Sequence, residues 1–232
     1  MTEGLSESLG ASEWRLGLEE DERARVLGRG GDRRLSVGEP LFHQGDPAQA
    51  FHLVVEGRVK LTQVGADGAE IIVRYVGPGE IVAGVVAFQD VPYPVSATAV
   101  EPTLVLSWEK SVVRQLCSEL PQVGRNIMQV IGQRMRELQE RFRELATQPV
   151  ERRVASALLR LLEQSGRATA EASVIDHPLS RQDLAELTGT TLFTVSRKLS
   201  EWERQGIVRL GRQKVAIVDL AALRRLAHPD GT

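Results

Sequence analysis

The sequence is poor in cysteine, in aromatic residues and in long apolar runs, and each shortage excludes a class of protein. Cys117 is the one cysteine in 232 residues, so neither an intramolecular disulfide framework nor a cluster of cysteine ligands can form within one chain. No apolar run approaches the roughly 18–20 residues of a membrane span, and the N-terminal MTEGLSESLG is polar and acidic, unlike a signal peptide. These features predict a cytoplasmic protein with no membrane partner.

The sequence also lacks a strong excess of charge of either sign, because its formal net charge is −2. The charge is nevertheless unevenly placed. Residues 148–232 hold 13 Lys and Arg against 10 Asp and Glu, whereas the remainder holds 16 against 21. The difference is small, but its sign is the one expected if only the C-terminal part meets an anion.

The first half of the chain, from about Arg33 to Trp108, consists of short β-prone runs separated by glycine. FHLVVEGRVKLTQV alternates between apolar and polar residues, and Asp67-Gly68 supplies a turn before the next run. Glycine recurs about once per run, which is typical of an antiparallel sandwich or barrel. We therefore predict an all-β domain over residues 1–120, with short flanking helices.

A long amphipathic helix is predicted over residues 121–148, which contain no proline after Pro121. Six apolar residues are spaced 3, 4, 3, 4 and 3 apart and form what we call the seam: Met128, Ile131, Met135, Leu138, Phe142 and Leu145. A narrow stripe with heptad spacing favours pairing with a second copy of the helix. The alternative is a helix that packs only on its own domain. Ile127 and Val130 lie off the seam and are expected to pack on the β-domain.

Residues 149–232 predict two short helices joined by a tight turn and followed by a hairpin, which is a winged helix-turn-helix. An amphipathic helix begins at Pro149, before this motif. Ser180 and Asp183 form a capping pattern, Gly189 ends the first short helix, and Thr190 or Thr191 caps the second. The hairpin turns around Gly211-Arg212, and LAALRRLA predicts a final helix.

The second short helix has two contrasting faces. Its predicted core stripe is Leu192, Val195, Leu199 and Trp202. The opposite side, which we call the outer face, carries Phe193, Ser196, Arg197, Ser200 and Arg204. In the alternative interpretation, Phe193 packs under the wing and Arg197 is an ordinary surface charge.

In a winged helix-turn-helix, the outer face of the second helix enters the major groove of DNA. Arg197 can then bond guanine O6 and N7, the serines can bond bases or phosphates, and Phe193 can contact thymine methyl groups. Arg204 is placed near phosphate, as are Arg181 and Gln182 at the start of the preceding helix. The predicted DNA-binding residues are Arg181, Gln182, Thr191, Phe193, Ser196, Arg197, Ser200 and Arg204.

The sequence resembles the Crp/Fnr family of bacterial transcription regulators over about residues 33–227. The resemblance rests on GDPAQAFHLVVEGRVKL, on VGPGEIVAGVVAF with YPVSATAV, on the long helix, and on SRQDLAELTGTTLFTVSRKLSEWERQGIV. PYPVSATAV and TGTTLFTVSRKLSEWE resemble most the denitrification and nitric-oxide-responsive branch (Dnr/NnrR-like). The resemblance implies an α+β chain with an N-terminal cyclic-nucleotide-binding-like β-roll (jelly roll), a long dimerisation helix and a C-terminal winged helix-turn-helix. It also implies a homodimeric activator that binds a palindromic operator and contacts RNA polymerase.

The departures from the family pattern are informative. Members that bind cyclic AMP carry a glutamate where this chain has Gly84, and an Arg-Ser pair where an ungapped alignment places Pro94-Val95. Without that carboxylate and guanidinium, the nucleotide would lose its charge-assisted hydrogen bonds. The iron–sulfur cluster of the oxygen sensors needs several cysteines, which this chain lacks. Phe193 replaces the usual glutamate of the recognition helix, so the operator is expected to differ from the common family site.

The effector therefore remains open between haem sensing nitric oxide, another small ligand, and none. The candidate haem donors are His43, His52, His177 and His228. Histidines placed like His52 and His177 are more often structural residues than haem ligands. The resemblance places the effector pocket at Gly84, Val85, Val86, Tyr93, Ser96, Met128 and Leu138.

Two other classes of function compete with a regulator. A metalloenzyme of the cupin type needs histidines spaced one residue apart, but His43 and His52 are nine apart, so the sequence predicts no metal site and no catalytic residues. A dimeric scaffold would leave the outer face with Phe193 and Arg197 unexplained.

Overall fold

The structure is a computed structural model that describes residue 15 and residues 17–169 and 172–228; the side chains of residues 86 and 87 are not described. The chain divides into two compact units. One comprises Met1–Ala69 and Val73–Leu138, and the other comprises Glu70–Ile72 and Gln139–Thr232. The division falls inside the long helix, whereas the predicted limits are 1–120, 121–148 and 149–232. Those three limits stay a prediction.

Among the described residues, the N-terminal unit contains helix α1, Glu20–Gly28, and the strands β1 Gly31–Leu35, β2 Pro40–Phe42, β3 Ala50–Glu56, β4 Val59–Val64, β5 Glu70–Val76, β6 Ile81–Val82, β7 Ser96–Ala99 and β8 Thr103–Glu109. The strands form two four-stranded sheets in the orders β1-β8-β3-β6 and β2-β7-β4-β5. Pairing of β3 with β8 is antiparallel, with Leu53 opposite Leu106. The predicted antiparallel β-roll is thus confirmed.

The predicted alternation in β3 is wrong, because five consecutive residues of this strand are buried. Phe51, Leu53 and Val55 join a core cluster with α1 and the helices that follow the β-roll. Val54 joins a second cluster that both sheets line. A strand covered on both faces needs apolar residues at successive positions rather than at every second one.

Glycine is required where the chain turns from β3 into β4. Gly57 has φ +77°, and a Cβ atom there would lie 2.3 Å from the Pro102 carbonyl oxygen. Gly68 has φ +80° in the predicted Asp67-Gly68 turn. A side chain would be strained at either position.

Two helices follow the β-roll, α2 Lys110–Glu119 and α3 Pro121–Thr147. Ile127 and Val130 of α3 are buried in the β-roll core, as predicted. Ile131, a predicted seam residue, is half-buried and packs against the same core cluster, and its place in the seam stays a prediction. Ile131 lies one turn after Ile127 and therefore faces the same side of the helix.

The C-terminal unit contains the helix-turn-helix and a four-stranded sheet in the order β11-β12-β10-β9. The hairpin of β11 and β12 confirms the predicted wing, and β9 and β10 add two strands that the sequence analysis did not predict. Pro149 caps α4 rather than being its first residue. The elements are α4 Val150–Ser165, β9 Gly166–Ala168, β10 Ser173–Ile175, α5 Arg181–Thr188, α6 Leu192–Arg204, β11 Val208–Gly211, β12 Lys214–Ile217 and α7 Leu220–Ala227.

Candidate nucleic-acid interface

Helix α5 is bounded by the two signals that its sequence carries. The Ser180 hydroxyl accepts a hydrogen bond from the Asp183 amide at 3.0 Å, and the Asp183 carboxylate accepts one from the Ser180 amide at 2.8 Å. Gly189 ends the helix with φ +59°, and a Cβ atom there would lie 2.9 Å from the Leu145 side chain. The predicted capping box and turn are confirmed. They fix the point at which α6 begins.

Helix α6, the recognition helix, is anchored by one face. The Thr191 hydroxyl accepts a hydrogen bond from the Thr194 amide at 3.2 Å, so Thr191 is the cap of the two candidates. Val195, Leu199 and Trp202 are completely buried. Leu192 was predicted in this stripe, but it is 47% exposed because it is the first helical residue, one turn before the packed part.

The outer face of α6 is largely open to solvent. Phe193 is 77% exposed, so the alternative in which it packs under the wing is wrong. Arg197, Ser200 and Arg204 are exposed, and Ser196 is half-buried. Within the described residues, neither Arg197 nor Arg204 forms an ion pair. These side chains are available to a partner of opposite charge.

Two further side chains hold α6 in place, and the sequence analysis missed both. The Lys198 ammonium bonds Glu151 at 3.0 Å and Glu201 at 3.2 Å, and the bond to Glu151 is the main reason that the pKa of Lys198 is raised. The Glu203 carboxylate accepts a hydrogen bond from the Leu210 amide at 2.8 Å, which ties α6 to the wing. Only the spacing of Lys198 and Glu201 is a local signal.

The wing and the start of α5 add exposed groups around this helix. Arg212 and Lys214 are exposed at the tip of the hairpin, where Gln213 has φ +53°. Arg181 and Gln182 are exposed in the first turn of α5, and the Gln182 amide donates to Glu186 at 2.9 Å. An exposed helix face in a unit that also exposes cations at the hairpin and at the start of α5 suits the major groove of DNA and its phosphates.

Comparison with known proteins gives the same two-part organisation. Residues 32–119 match the cyclic nucleotide-binding domain, and residues 152–226 match the Crp-like helix-turn-helix domain. The cyclic AMP receptor protein of Thermus thermophilus is 33% identical over 190 residues, which cover 82% of this chain and 85% of that protein. The chain belongs to the Crp/Fnr family. It is a DNA-binding transcription regulator and not an enzyme.

Other members of the Crp/Fnr family are similar over most of their length. The transcriptional activator protein Anr of Pseudomonas aeruginosa is 29% identical over 207 residues, which cover 89% of this chain and 84% of that protein. The structure of FixK2 from Bradyrhizobium japonicum has a TM-score of 0.74 and 25% identity, covering 85% of this chain and 96% of that one. The β-roll, long helix and helix-turn-helix of this Crp/Fnr regulator thus match a known arrangement of elements.

The residues predicted for an effector pocket lie in different surroundings in the β-roll. The Tyr93 hydroxyl donates to the Ala50 carbonyl at 2.9 Å, and its ring stacks on Phe42 with centroids 3.8 Å apart. The Ser96 hydroxyl accepts a hydrogen bond from the backbone amide of Gln44 at 2.9 Å. Both side chains are therefore held by the fold.

The remaining pocket candidates lie on a short 3-10 helix, Gly84–Ala87, or on α3. A Cβ atom at Gly84 would lie 3.8 Å from Ile127 and 3.7 Å from Ile131 of α3. Val85, Met128 and Leu138 are exposed, and the Val86 side chain lies outside the described residues. Their role toward an effector stays a prediction.

An ion-pair network joins the turn before β6 to α3, and no local pattern in the sequence predicted it. The Glu80 carboxylate pairs with Arg74 and, at 2.8 Å, with Arg134. Arg134 also contacts Glu137 at 2.6 Å. Burial, only partly offset by Glu80, lowers the pKa of Arg74. The network links the turn before β6 directly to the long helix.

The histidine candidates divide into buried and exposed pairs. His52 Nδ1 lies 2.8 Å from the Ser107 hydroxyl and Nε2 lies 3.4 Å from the Tyr93 hydroxyl. Burial, with a smaller contribution from Arg33, lowers the pKa of His52 to about 4. His177 is buried with Nδ1 3.0 Å from Ser165, whereas His43 and His228 are exposed.

The described part of the chain offers no grouping of His, Cys, Asp and Glu side chains that could hold a metal ion. Among the same residues, no helix is both long enough and apolar enough to cross a membrane.

Proposed function

We propose that two copies of this chain pair along α3 and bind a two-fold symmetric DNA site. The observation that carries the proposal is the exposure of five seam residues on a 27-residue helix, among them Phe142, which is 75% exposed. An apolar stripe of that length in water is stabilised when a second copy covers it. Two recognition helices would then address half-sites roughly 34 Å apart.

In this dimer, we assign base contacts to the outer face of α6. Arg197, which forms no ion pair within the described part of the chain, presents a guanidinium fork that suits guanine O6 and N7, and Ser196 and Ser200 bond neighbouring bases or phosphates. We assign phosphate contacts to Arg204, farther along the helix, and to Arg181 and Gln182 at the start of α5. Thr191 caps α6 and keeps its first amides directed at the backbone of the DNA.

Cyclic AMP, for which the Thermus relative is named, is not the signal that we propose for this chain. Gly84 stands where the family uses a carboxylate, and Pro94-Val95 replaces the pair that holds the phosphate. Gly84 also faces Ile127 and Ile131 of α3, so apolar side chains surround this position. A phosphate would lose its charge-assisted bonds at such a site.

Haem with nitric oxide, the effector that the resemblance suggested, finds no fitting donor at His52. Both ring nitrogens of His52 have hydroxyl partners, Ser107 and Tyr93, and the ring is buried. These contacts argue against His52 alone as a haem donor. Among the possibilities left open, we propose DNA binding that needs no effector, with the ion pairs of Glu80 holding the β-roll on α3; binding of another small ligand is the alternative. Cyclic AMP, and separately haem with nitric oxide, are then added to the DNA-binding experiment as tests.

Membership of the denitrification branch and contact with RNA polymerase are also proposals. The first rests on YPVSATAV and on TGTTLFTVSRKLSEWE. The second rests on the similarity to transcriptional activators such as Anr.

Selection from randomised duplexes at fixed moderate salt tests the proposed function, with effector-free protein and sedimentation to give its mass. We expect a dimer and a two-fold symmetric consensus, unchanged by cyclic AMP or by haem with nitric oxide. A monomer, or a consensus without symmetry, would contradict the dimeric site. Sequence-blind, salt-sensitive binding that becomes specific only on addition of a ligand would contradict effector-independent binding.

A further inference from the structure

Among the large apolar side chains that the structure describes in the C-terminal unit, Phe193 is the most exposed, in a chain that has only five phenylalanines. A single apolar side chain on a surface needs no special explanation. Its position does, since Phe193 is the second residue of α6 and lies one turn before Arg197. The N-terminal residues of a recognition helix are the ones that reach base edges in the major groove.

The ring of Phe193 is not needed to hold α6 in place. The helix is anchored on its opposite face by Val195, Leu199 and Trp202, and its first turn is capped by Thr191. Among the described residues, the ring has no aromatic partner. Replacing Phe193 should therefore leave the fold unchanged, so an effect on DNA binding can be read directly.

The chemistry of the major groove limits what such a ring can recognise. Guanine, adenine and cytosine present hydrogen-bonding groups there, whereas thymine adds a C5 methyl group. A phenyl ring can neither donate nor accept in the manner of a side-chain amide or carboxylate, but it can cover a methyl group and exclude water from it. A carboxylate at this position would instead accept a hydrogen bond from the amino group of cytosine.

We propose that Phe193 determines specificity by recognising the C5 methyl group of one pyrimidine in each half-site. The proposal rests on the DNA-binding function proposed above. It predicts thymine at that position, acceptance of 5-methylcytosine, and discrimination against uracil and unmodified cytosine. Arg197 projects from the same side of α6 one turn later, so the pyrimidine lies in the same half-site as the guanine that Arg197 contacts.

The test replaces each thymine of the selected duplex, one symmetric pair at a time, with deoxyuridine, which differs only by the missing methyl group. At one pair we expect the affinity to fall about fourfold per half-site, or about fifteenfold for both, which is the effect of burying one methyl group. At the same pair, 5-methylcytosine should bind more tightly than cytosine by a similar factor. The other thymines should show no change that depends on Phe193.

Variants connect the methyl effect to this side chain. Phe193→Ala should bind the thymine and deoxyuridine duplexes equally, and Phe193→Glu should change the selected base from thymine to cytosine. Arg204→Ala is the matched control on the same helix, because it should weaken both duplexes by the same factor and keep their ratio. Thermal unfolding of each variant should match that of the wild type.

Two results would overturn the inference while leaving the DNA-binding function intact. The first is a two-fold site at which no thymine is sensitive to loss of its methyl group. The second is a methyl effect that persists in Phe193→Ala. Failure of the wild-type chain to select any sequence would overturn both the inference and the proposed function.

Discussion

The interior of the β-roll and the outer face of α6 use their polar and aromatic side chains in opposite ways. Inside the β-roll, His52, Tyr93 and Ser107 bond to one another or to the backbone. On the outer face of α6, Phe193 and Arg197 face solvent. A group whose bonds are satisfied within the chain contributes to stability, whereas a group left in water is available to a partner.

This comparison gives each region its own expected response to substitution. Changes inside the β-roll should alter the free energy of unfolding, and changes on exposed faces should alter assembly or DNA binding at constant stability. Four predictions test the distinction, beginning with the largest expected effect.

The exposed seam of α3 should respond through assembly alone. Phe142→Glu would place two like charges opposite each other across a symmetric helix pair, which costs several kcal/mol. We expect dimerisation to weaken at least about 100-fold, and DNA binding to fall with it, while circular dichroism stays unchanged. Sedimentation equilibrium measures the first effect.

Val37→Glu is the matched control, because Val37 is also exposed and apolar but lies on the β-roll, away from the seam. It should remain dimeric. A dimer that survives Phe142→Glu would show that the exposed stripe is not the pairing surface.

His52 should make the β-roll sensitive to acid. Its pKa is about 4 in the folded chain and near 6.5 when unfolded, so between these values the unfolded state binds more protons. Stability should therefore be complete above pH 6.5 and decrease as the pH falls toward 4, by up to about 3 kcal/mol. NMR titration of the ring measures the folded pKa, and urea unfolding at pH 4.5 and 7 measures the loss.

His52→Gln should remove most of this pH dependence, and the exposed His43→Gln should leave it unchanged. If the His52 ring titrates near 6.5 in the folded chain, the β-roll interior does not exclude its charge, and the contrast with the outer face weakens.

The features that the sequence predicted well are those set by neighbouring residues. The Ser180 capping box, the left-handed Gly189 and the stripe of Val195, Leu199 and Trp202 depend on spacings of three and four residues. Such signals fix where a helix begins, where it ends and which face is buried.

The features that the sequence did not predict depend on residues far apart in the chain. Glu80 and Arg134 are separated by 54 positions, and His52 and Ser107 by 55. No local spacing indicates that these groups meet. Ile131 is a similar case. The seam spacing shows that it lies on a helical face, but not that the β-roll core covers part of its side chain.

The outer face of α6 should respond through specificity. Arg197→Ala should relax the choice of base at one position per half-site by about 1–3 kcal/mol, because a bidentate contact with guanine is lost. Arg204→Ala should weaken all sequences alike and reduce the salt dependence by about one phosphate contact. Both variants should unfold at the wild-type temperature. If Arg197→Ala weakens binding to all DNA sequences by the same factor, Arg197 contacts phosphate instead of a base.

Removing the cap of α6 is expected to have the smallest effect of the four. The cap is a bond made within the chain, but it supports a helix whose outer face is exposed. Thr191→Ala removes the acceptor for the Thr194 amide and should cost about 1 kcal/mol of helix stability. Amide hydrogen exchange at Thr194 should then quicken about fivefold through local opening.

Thr190→Ala, one residue earlier, is the matched control, since the cap of α6 is Thr191. Equal exchange in both variants would mean that the cap does not stabilise the first turn. Faster exchange in Thr191→Ala alone would show that the first turn of α6, which carries Phe193, is stabilised by a bond made within the chain.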